Sequence, residues 1–170
     1  VFIGSHNLTM SGFNDQLEIT AILSSREPSH IGALRGVYGA VTELVQGHHH
    51  LGRIWRRVEA PFPDDTPPSV FFLWNREQGL LDQLSETVGN VDHIAVVTPY
   101  LDADALLRLK QNLSAKTMVI DIPRHGTDSP LSDAVDRIPD LTARRIRSNA
   151  RLHAKAYSLT RGSDHWLALG

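Results

Sequence analysis

Cysteine is absent from the 170 residues of this chain, and so is any long apolar run. Without cysteine, disulfide scaffolds and thiolate chemistry are excluded, while the redox compartment is left open. The apolar runs are far shorter than the ~20 residues that a membrane helix needs. We therefore predict no membrane span, and because no signal peptide is visible we expect a cytoplasmic protein.

A strong charge of one sign is lacking too, since the net charge is -2 and the isoelectric point is near 6.5. This balance excludes a globally basic protein that coats nucleic acid, but it leaves room for a local basic patch. A solvated loop accounts for such a patch, and contacts to substrate phosphates are the functional alternative. The arginines that cluster within eight residues are Arg144, Arg145, Arg147 and Arg151.

The length suffices for one well-buried core or two small subdomains. Because the chain starts with the apolar run VFIG and stops on Gly170 after WLAL, we expect an excerpt of a longer protein, truncated at both ends. A strand is predicted over 17–23 and a helix over 29–47. Residues 59–69 hold four prolines and two adjacent aspartates, which is typical of a linker between domains at 1–58 and 70–170.

After this linker, strands predicted over 70–74, 93–100 and 117–122 alternate with helices over 77–88 and after Asp102. A short helix near 131–138 and a hairpin over 157–170, turning at 161–164, complete the pattern. The alternation predicts an α/β protein with a mostly parallel sheet covered by helices on both faces. The histidine triplet 48–50 is not expected to bind metal, because three consecutive residues of a regular element cannot all face one ion.

The segment RLHAKAYSL, residues 151–159, alternates as a buried strand does. Period two puts Arg151, His153, Lys155 and Tyr157 on one face. Two cations and an imidazole side by side are unfavourable unless an anion such as phosphate lies between them. A solvent-facing edge strand is the alternative for so short a pattern. The other face is small and mostly apolar, with Leu152, Ala154, Ala156 and Ser158.

Near the other end, GSHNLTMSGFNDQLEI leads from a strand into a turn that presents Ser5 and Asn7, with Glu18 on the next strand. Alone, these are ordinary turn residues. Together, however, the two stretches resemble the phospholipase D superfamily, whose signature H-x-K-x4-D-x6-G-S-x-N normally occurs twice. Gly4 to Asn7 match the end of one copy, and His153-x-Lys155 matches the beginning of another. Residues 91–113 also look like the opening strand and helix of the family's second repeat.

The resemblance implies a phospholipase D-like α/β/α sandwich of two pseudo-twofold repeats and a phosphodiesterase that needs neither metal nor cofactor. In the family, one histidine attacks phosphorus to form a phosphohistidine and another protonates the leaving oxygen. The second motif copy is expected from the remainder of the protein's own chain, so residues 1–170 alone are expected to be inactive. The implied roles are nucleophile or general acid for His153, phosphate ligand for Lys155 and Asn7, lining of the site for Ser5, and orientation of an imidazole for Glu18.

The sequence departs from the signature at Thr160, where the family has an aspartate, and Asp164 is a candidate substitute. For the substrate, the arginine cluster and the absence of an interfacial amphipathic helix favour DNA or RNA. They predict a bacterial-type nuclease or a phosphodiesterase associated with DNA repair or restriction. A phospholipid hydrolase or transphosphatidylase is the alternative among enzymes. A phosphate-binding module with a decayed motif is the alternative outside them, and Thr160 favours it.

Overall fold

The fold is that of a computed structural model whose described residues form two compact units. One unit comprises Val1–Ile3 and Ile22–Leu80, and the other comprises Gly4–Ala21 and Leu81–Gly170. The predicted linker 59–69 lies outside the described residues, so the predicted domain boundary stays a prediction. The described residues are 2–4, 16–17, 20–48, 52–53, 55, 70–74, 78–123, 128–146, 151–152 and 154–169.

The first unit is built on helix α1, Ile31–Val45, which follows a 3-10 turn at Pro28–His30. Apolar residues at three- and four-residue spacing give this helix one buried face, as the sequence predicts. The strand predicted over 70–74 is wrong, because these residues form no regular element. Two of them nevertheless pack on the helix. A Cβ at Gly36 would lie 3.0 Å from Phe72 Cβ, so a larger residue there would require Phe72 to move by a few tenths of an ångström. The small core contains Leu23, Ile31, Ala33 and Leu34, with Val70 and Phe72 packed against it.

The described residues form nine strands, and five of them make the sheet of the second unit. The strands are β1 Phe2–Gly4, β2 Gln16–Leu17, β3 Thr20–Ile22, β4 His93–Val97, β5 Thr117–Ile122, β6 Leu141–Arg145, β7 Arg151–Leu152, β8 Ala156–Arg161 and β9 Asp164–Leu169. The five-stranded sheet has the order β6-β5-β4-β8-β9, with β4, β5 and β6 parallel and with β8 and β9 antiparallel to their neighbours. The pair β1 and β3 and the pair β2 and β7 form separate two-stranded sheets.

The five-stranded sheet is therefore mixed, which corrects the expectation of a mostly parallel one. The cause is the hairpin of β8 and β9, which is joined by the two-residue turn Gly162-Ser163. So short a connection allows only antiparallel strands. Gly162 has φ +56°, a backbone conformation that two-residue hairpin turns demand and that glycine adopts without strain. The hairpin itself and its turn are confirmed as predicted.

Three helices of the second unit pack on one face of the sheet: α2 Leu80–Val88, α3 Ala103–Asn112 and α4 Asp128–Arg137. Asp102 caps α3 as predicted, because its side chain accepts a hydrogen bond from the Ala105 backbone N–H at 3.0 Å. The described helices of the second unit thus share a single face of the sheet. The predicted helix layer is present on that face, and the layer expected on the other face stays a prediction. Their core includes Ile94, Val96, Leu106, Leu113, Met118, Ile120, Ile122, Ala134, Ile138 and Leu159.

Strand β6 is the element that the sequence analysis missed. Its segment LTARR has only two apolar residues on the helix-covered side, Leu141 and Ala143, and it is the outermost strand of the sheet. Two alternating positions are too few for a periodic signal. The arginine cluster consequently begins in a strand, and the solvated loop that competed with the functional interpretation does not describe Arg144 and Arg145.

Candidate functional site

The candidate site lies at the edge of the sheet where the parallel strands end. Val97, Ile122 and Arg145 are the last residues of β4, β5 and β6. The antiparallel hairpin brings two further strand ends to the same edge, because Ala156 pairs both with Val97 and with Leu169. The carboxyl ends of parallel strands are where open α/β sheets usually bind ligands. Lys155, which directly precedes Ala156, therefore lies at the edge where such sheets usually bind ligands.

The segment 151–159 is not the single strand that its alternation predicts. Residues 151–152 form β7 and pair with β2, whereas β8 begins only at Ala156 and pairs with β4. Lys155 lies between these two strands and is half-buried. The predicted packing face is buried at Leu152, Ala154 and Ala156, but Ser158 is exposed. The change of partner strand leaves Ala154 and Lys155 outside both strand ladders.

Lys155 faces an aromatic ring at this edge. Its Nζ lies 5.8 Å from the centroid of the Tyr100 ring, which is the geometry of a cation–π contact. Tyr100 follows β4 and is 64% exposed. The sequence predicts a strand that ends at Tyr100, but β4 ends at Val97. The signal for an earlier stop was Pro99, since proline cannot donate to a sheet ladder.

Thr98 fixes the backbone of Tyr100. The Thr98 hydroxyl donates a hydrogen bond to the Tyr100 carbonyl oxygen at 2.7 Å and accepts one from the Tyr100 N–H at 3.2 Å. The Thr98 N–H in turn donates to the Asp121 carbonyl oxygen at 3.2 Å. Thr98 is buried, so its hydroxyl has little access to water molecules that could replace these hydrogen bonds. The loop after β4 thus holds Tyr100 in a defined place.

The arginines are not gathered around Lys155. The Arg144 guanidinium forms a bidentate ion pair with the Asp121 carboxylate, with Nε to Oδ1 at 2.9 Å and Nη2 to Oδ2 at 2.7 Å. These hydrogen bonds, and then the charge of Asp121, raise the pKa of Arg144 above its usual value. Arg145 follows on β6 and therefore points to the opposite face of the sheet. Three strand spacings, about 14 Å, separate β6 from β8 in the sheet order.

Five predicted site residues lie outside the described residues: Ser5, Asn7, Glu18, Arg147 and His153. Arg151 belongs to β7 by its backbone, and its side chain is outside the description as well. The strands that directly precede three of these residues are nevertheless described, and β1 ends at Gly4, one residue before Ser5. Strand β2 ends at Leu17, one residue before Glu18, and β7 ends at Leu152, one residue before His153. They pair in parallel, with Gln16 opposite Arg151 and Leu17 opposite Leu152.

Thr160 and its candidate substitute Asp164 lie at the far end of the hairpin from Ala156. Asp164 makes an ion pair with Arg161 at 3.2 Å. The same guanidinium donates to the Val88 carbonyl oxygen at 3.1 Å and lies 5.1 Å from the centroid of the Trp166 ring. These contacts connect the hairpin to the end of α2. Asp164 thus has a structural role within the hairpin.

Among the residues that the structure describes, no group of three or more His, Cys, Asp or Glu side chains is placed to hold a metal ion. His48 is described, whereas His49 and His50 of the triplet are not. Across the same described ranges, no helix has both the length and the apolar character that crossing a bilayer demands.

The comparisons with known proteins return no relative from which a function could be transferred. No family model matches the chain, and no curated protein or solved structure matches it either. The resemblance to the phospholipase D superfamily therefore remains a prediction from the motif residues.

Proposed function

We propose that the chain belongs to a metal-independent phosphodiesterase of the phospholipase D superfamily that acts on nucleic acid in the cytoplasm. The observation that carries this proposal is the parallel pairing of β2 with β7. It joins the segment that leads to Glu18 with the segment that leads to His153, although nearly the whole chain separates them in sequence. A composite site needs this convergence, because neither motif half holds enough groups for catalysis alone.

The proposed reaction has two steps. A histidine ring nitrogen attacks phosphorus, forming a nitrogen–phosphorus bond while the bond to the leaving oxygen breaks and a second histidine protonates that oxygen. Water, deprotonated by the second histidine, then attacks the phosphohistidine and restores the free imidazole. His153 has one of these two roles, and we expect the other histidine from the second motif copy. Glu18 accepts the imidazole N–H and so fixes the reacting tautomer.

Lys155 and Asn7 hold the phosphoryl oxygens in this proposal, and Ser5 lines the site beside them. An ammonium group is a compact charge that stabilises the negative charge growing on phosphoryl oxygens. The position of Lys155 outside the β8 ladder supports this role, since its side chain is not required for sheet packing. Arg144 is engaged by Asp121, so a phosphate contact of Arg144 would have to replace that ion pair.

A phosphate-binding module without catalysis is the second candidate, and one observation favours it. Thr160 replaces the aspartate of the signature and takes part in the hairpin ladder opposite His165. A decayed motif of this kind keeps the phosphate ligands while it loses turnover. The two candidates differ in cleavage but not in phosphate binding, so one set of variants separates them.

The test is hydrolysis of bis-p-nitrophenyl phosphate by the full-length protein. We expect His153→Ala to abolish turnover, because the nucleophile or the proton donor is lost. The matched control is His165→Ala, which removes a histidine from β9 at the far end of the hairpin and is expected to leave turnover unchanged. EDTA is expected to have no effect on turnover, since histidine and lysine side chains take the roles that Mg²⁺ has in other nucleases. Undiminished turnover in His153→Ala, or strict dependence on a metal, would contradict the proposal.

A wild-type protein that binds phosphate but cleaves nothing would favour the binding module. For that case, Lys155→Ala is tested in parallel for loss of orthophosphate binding by calorimetry. If phosphate binding is also unchanged in Lys155→Ala, both candidates fail.

A further inference from the structure

Tyr100 is an exposed aromatic ring beside the proposed phosphate ligand Lys155, and the motif assigns it no role. Exposed tyrosines are common on protein surfaces and need no explanation by themselves. This one differs in two respects. Its backbone is fixed on both sides by the buried Thr98 hydroxyl, and its ring lies 5.8 Å from the ammonium group of Lys155. A fixed, exposed ring next to a cation is the combination with which proteins bind single-stranded nucleic acid.

We propose that Tyr100 is a stacking platform for a nucleobase and that the substrate of this site is single-stranded nucleic acid. The inference rests on the proposed function, since it takes Lys155 as the ligand of a substrate phosphate. A nucleotide carries a phosphate and a flat base within one residue. When its phosphate reaches Lys155, its base therefore comes within reach of the adjacent ring.

The contact between Lys155 and Tyr100 leaves both groups able to bind. An ammonium group has three N–H donors, and a cation–π contact at an exposed site is weak enough to be exchanged for phosphate oxygens. Tyr100 as a residue is 64% exposed, so a base can approach it from solvent. The ring also stays close to the carboxyl end of β4, because only Thr98 and Pro99 separate Tyr100 from the last residue of this strand.

The chemistry of the ring selects a single strand. A base can lie on an aromatic side chain only after it has left its own stack, which loops and single strands permit and an intact duplex does not.

The experiment measures binding of two labelled oligonucleotides to the chain by fluorescence anisotropy. One is an oligothymidylate of about 15 nucleotides, and the other is an abasic strand of the same length and charge. We expect Tyr100→Ala to weaken binding of the oligothymidylate roughly 5- to 100-fold and to leave binding of the abasic strand unchanged. Tyr100→Phe keeps the ring and is expected to bind as the wild type does. Tyr100→Leu keeps an apolar side chain without the ring and is expected to behave as Tyr100→Ala does.

Lys155→Ala separates this inference from the proposed function. Loss of the ammonium group is expected to weaken binding of both strands alike, because both carry phosphates. If Lys155→Ala has this effect while Tyr100→Ala changes neither strand, or changes both equally, the stacking platform is overturned and the phosphate site stands. If Lys155→Ala changes neither strand, the proposed phosphate site fails and the inference falls with it. A wild type that binds duplex as tightly as the single strand also overturns the inference.

Discussion

Replacing Thr98 with valine tests whether the loop after β4 is held by a single hydroxyl group. Valine has nearly the shape of threonine but can neither donate to the Tyr100 carbonyl oxygen nor accept from the Tyr100 N–H. Since the volume hardly changes, no cavity forms and the effect reports the two hydrogen bonds. Each hydrogen bond contributes ~0.5–1.5 kcal/mol net to stability. The expected loss in the free energy of unfolding is therefore about 2 kcal/mol.

The assay is urea unfolding followed by NMR signals of amides in β4 and β5, so that the second unit is observed separately from the first. With an m-value of about 2 kcal/mol per molar urea, the midpoint is expected to fall by about 1 M. Thr98→Ser is the matched control, since it keeps the hydroxyl and loses one methyl group, for a cost of about 0.8 kcal/mol. The reasoning is refuted if Thr98→Val is as stable as the wild type, or if Thr98→Ser is the less stable variant.

Two further predictions concern the sheet. Leu159→Ala removes a side chain that the sheet and helices bury completely, so we expect a loss of ~2–5 kcal/mol in the free energy of unfolding. The control Leu167→Ala, at a position on the next strand that is 68% exposed, is expected to change it by less than ~0.5 kcal/mol. Equal losses for the two variants in urea unfolding would contradict this expectation. Asp92 accepts hydrogen bonds from Lys116 and from the Gly162 N–H, and these lower its pKa. A carboxyl whose pKa is lower in the folded state stabilises the fold above its unfolded pKa of about 3.9 and loses this effect as the pH falls through the folded value. Asp92→Asn is thus expected to be less stable than the wild type at neutral pH, with a difference that disappears in acid, and a difference independent of pH in unfolding curves would disprove the assignment.

The elements with a strong local pattern could be predicted from the sequence. Helix α3 has its cap at Asp102, strand β5 coincides with the predicted range 117–122, and the hairpin turns at Gly162 as expected. Periodicity and capping chemistry are properties of neighbouring residues, so they need no knowledge of the fold. The motif residues were likewise visible in the sequence because their spacing is local. The roles assigned to them remain predictions.

The features that depend on distant partners could not be predicted. Strand β6 has too few apolar positions to be identified before β5 is known to lie beside it, and the predicted strand over 70–74 is apolar without having a strand partner. The alternation of 151–159 gave no sign that its first residues pair with β2 and its last with β4. Register and partner choice are settled by long-range burial, which no short window contains.

The same division applies to the candidate site. The sequence by itself determined that a lysine, a histidine and a run of arginines occur close together along the chain. Only the tertiary structure decided that Asp121 engages Arg144, that β6 lies three strands from β8, and that Tyr100 faces Lys155. The number of charges and the spacing of the motif residues are properties of the sequence alone. Which charges are already neutralised, and which ring lies beside a cation, follows from strands that meet only after the chain has folded.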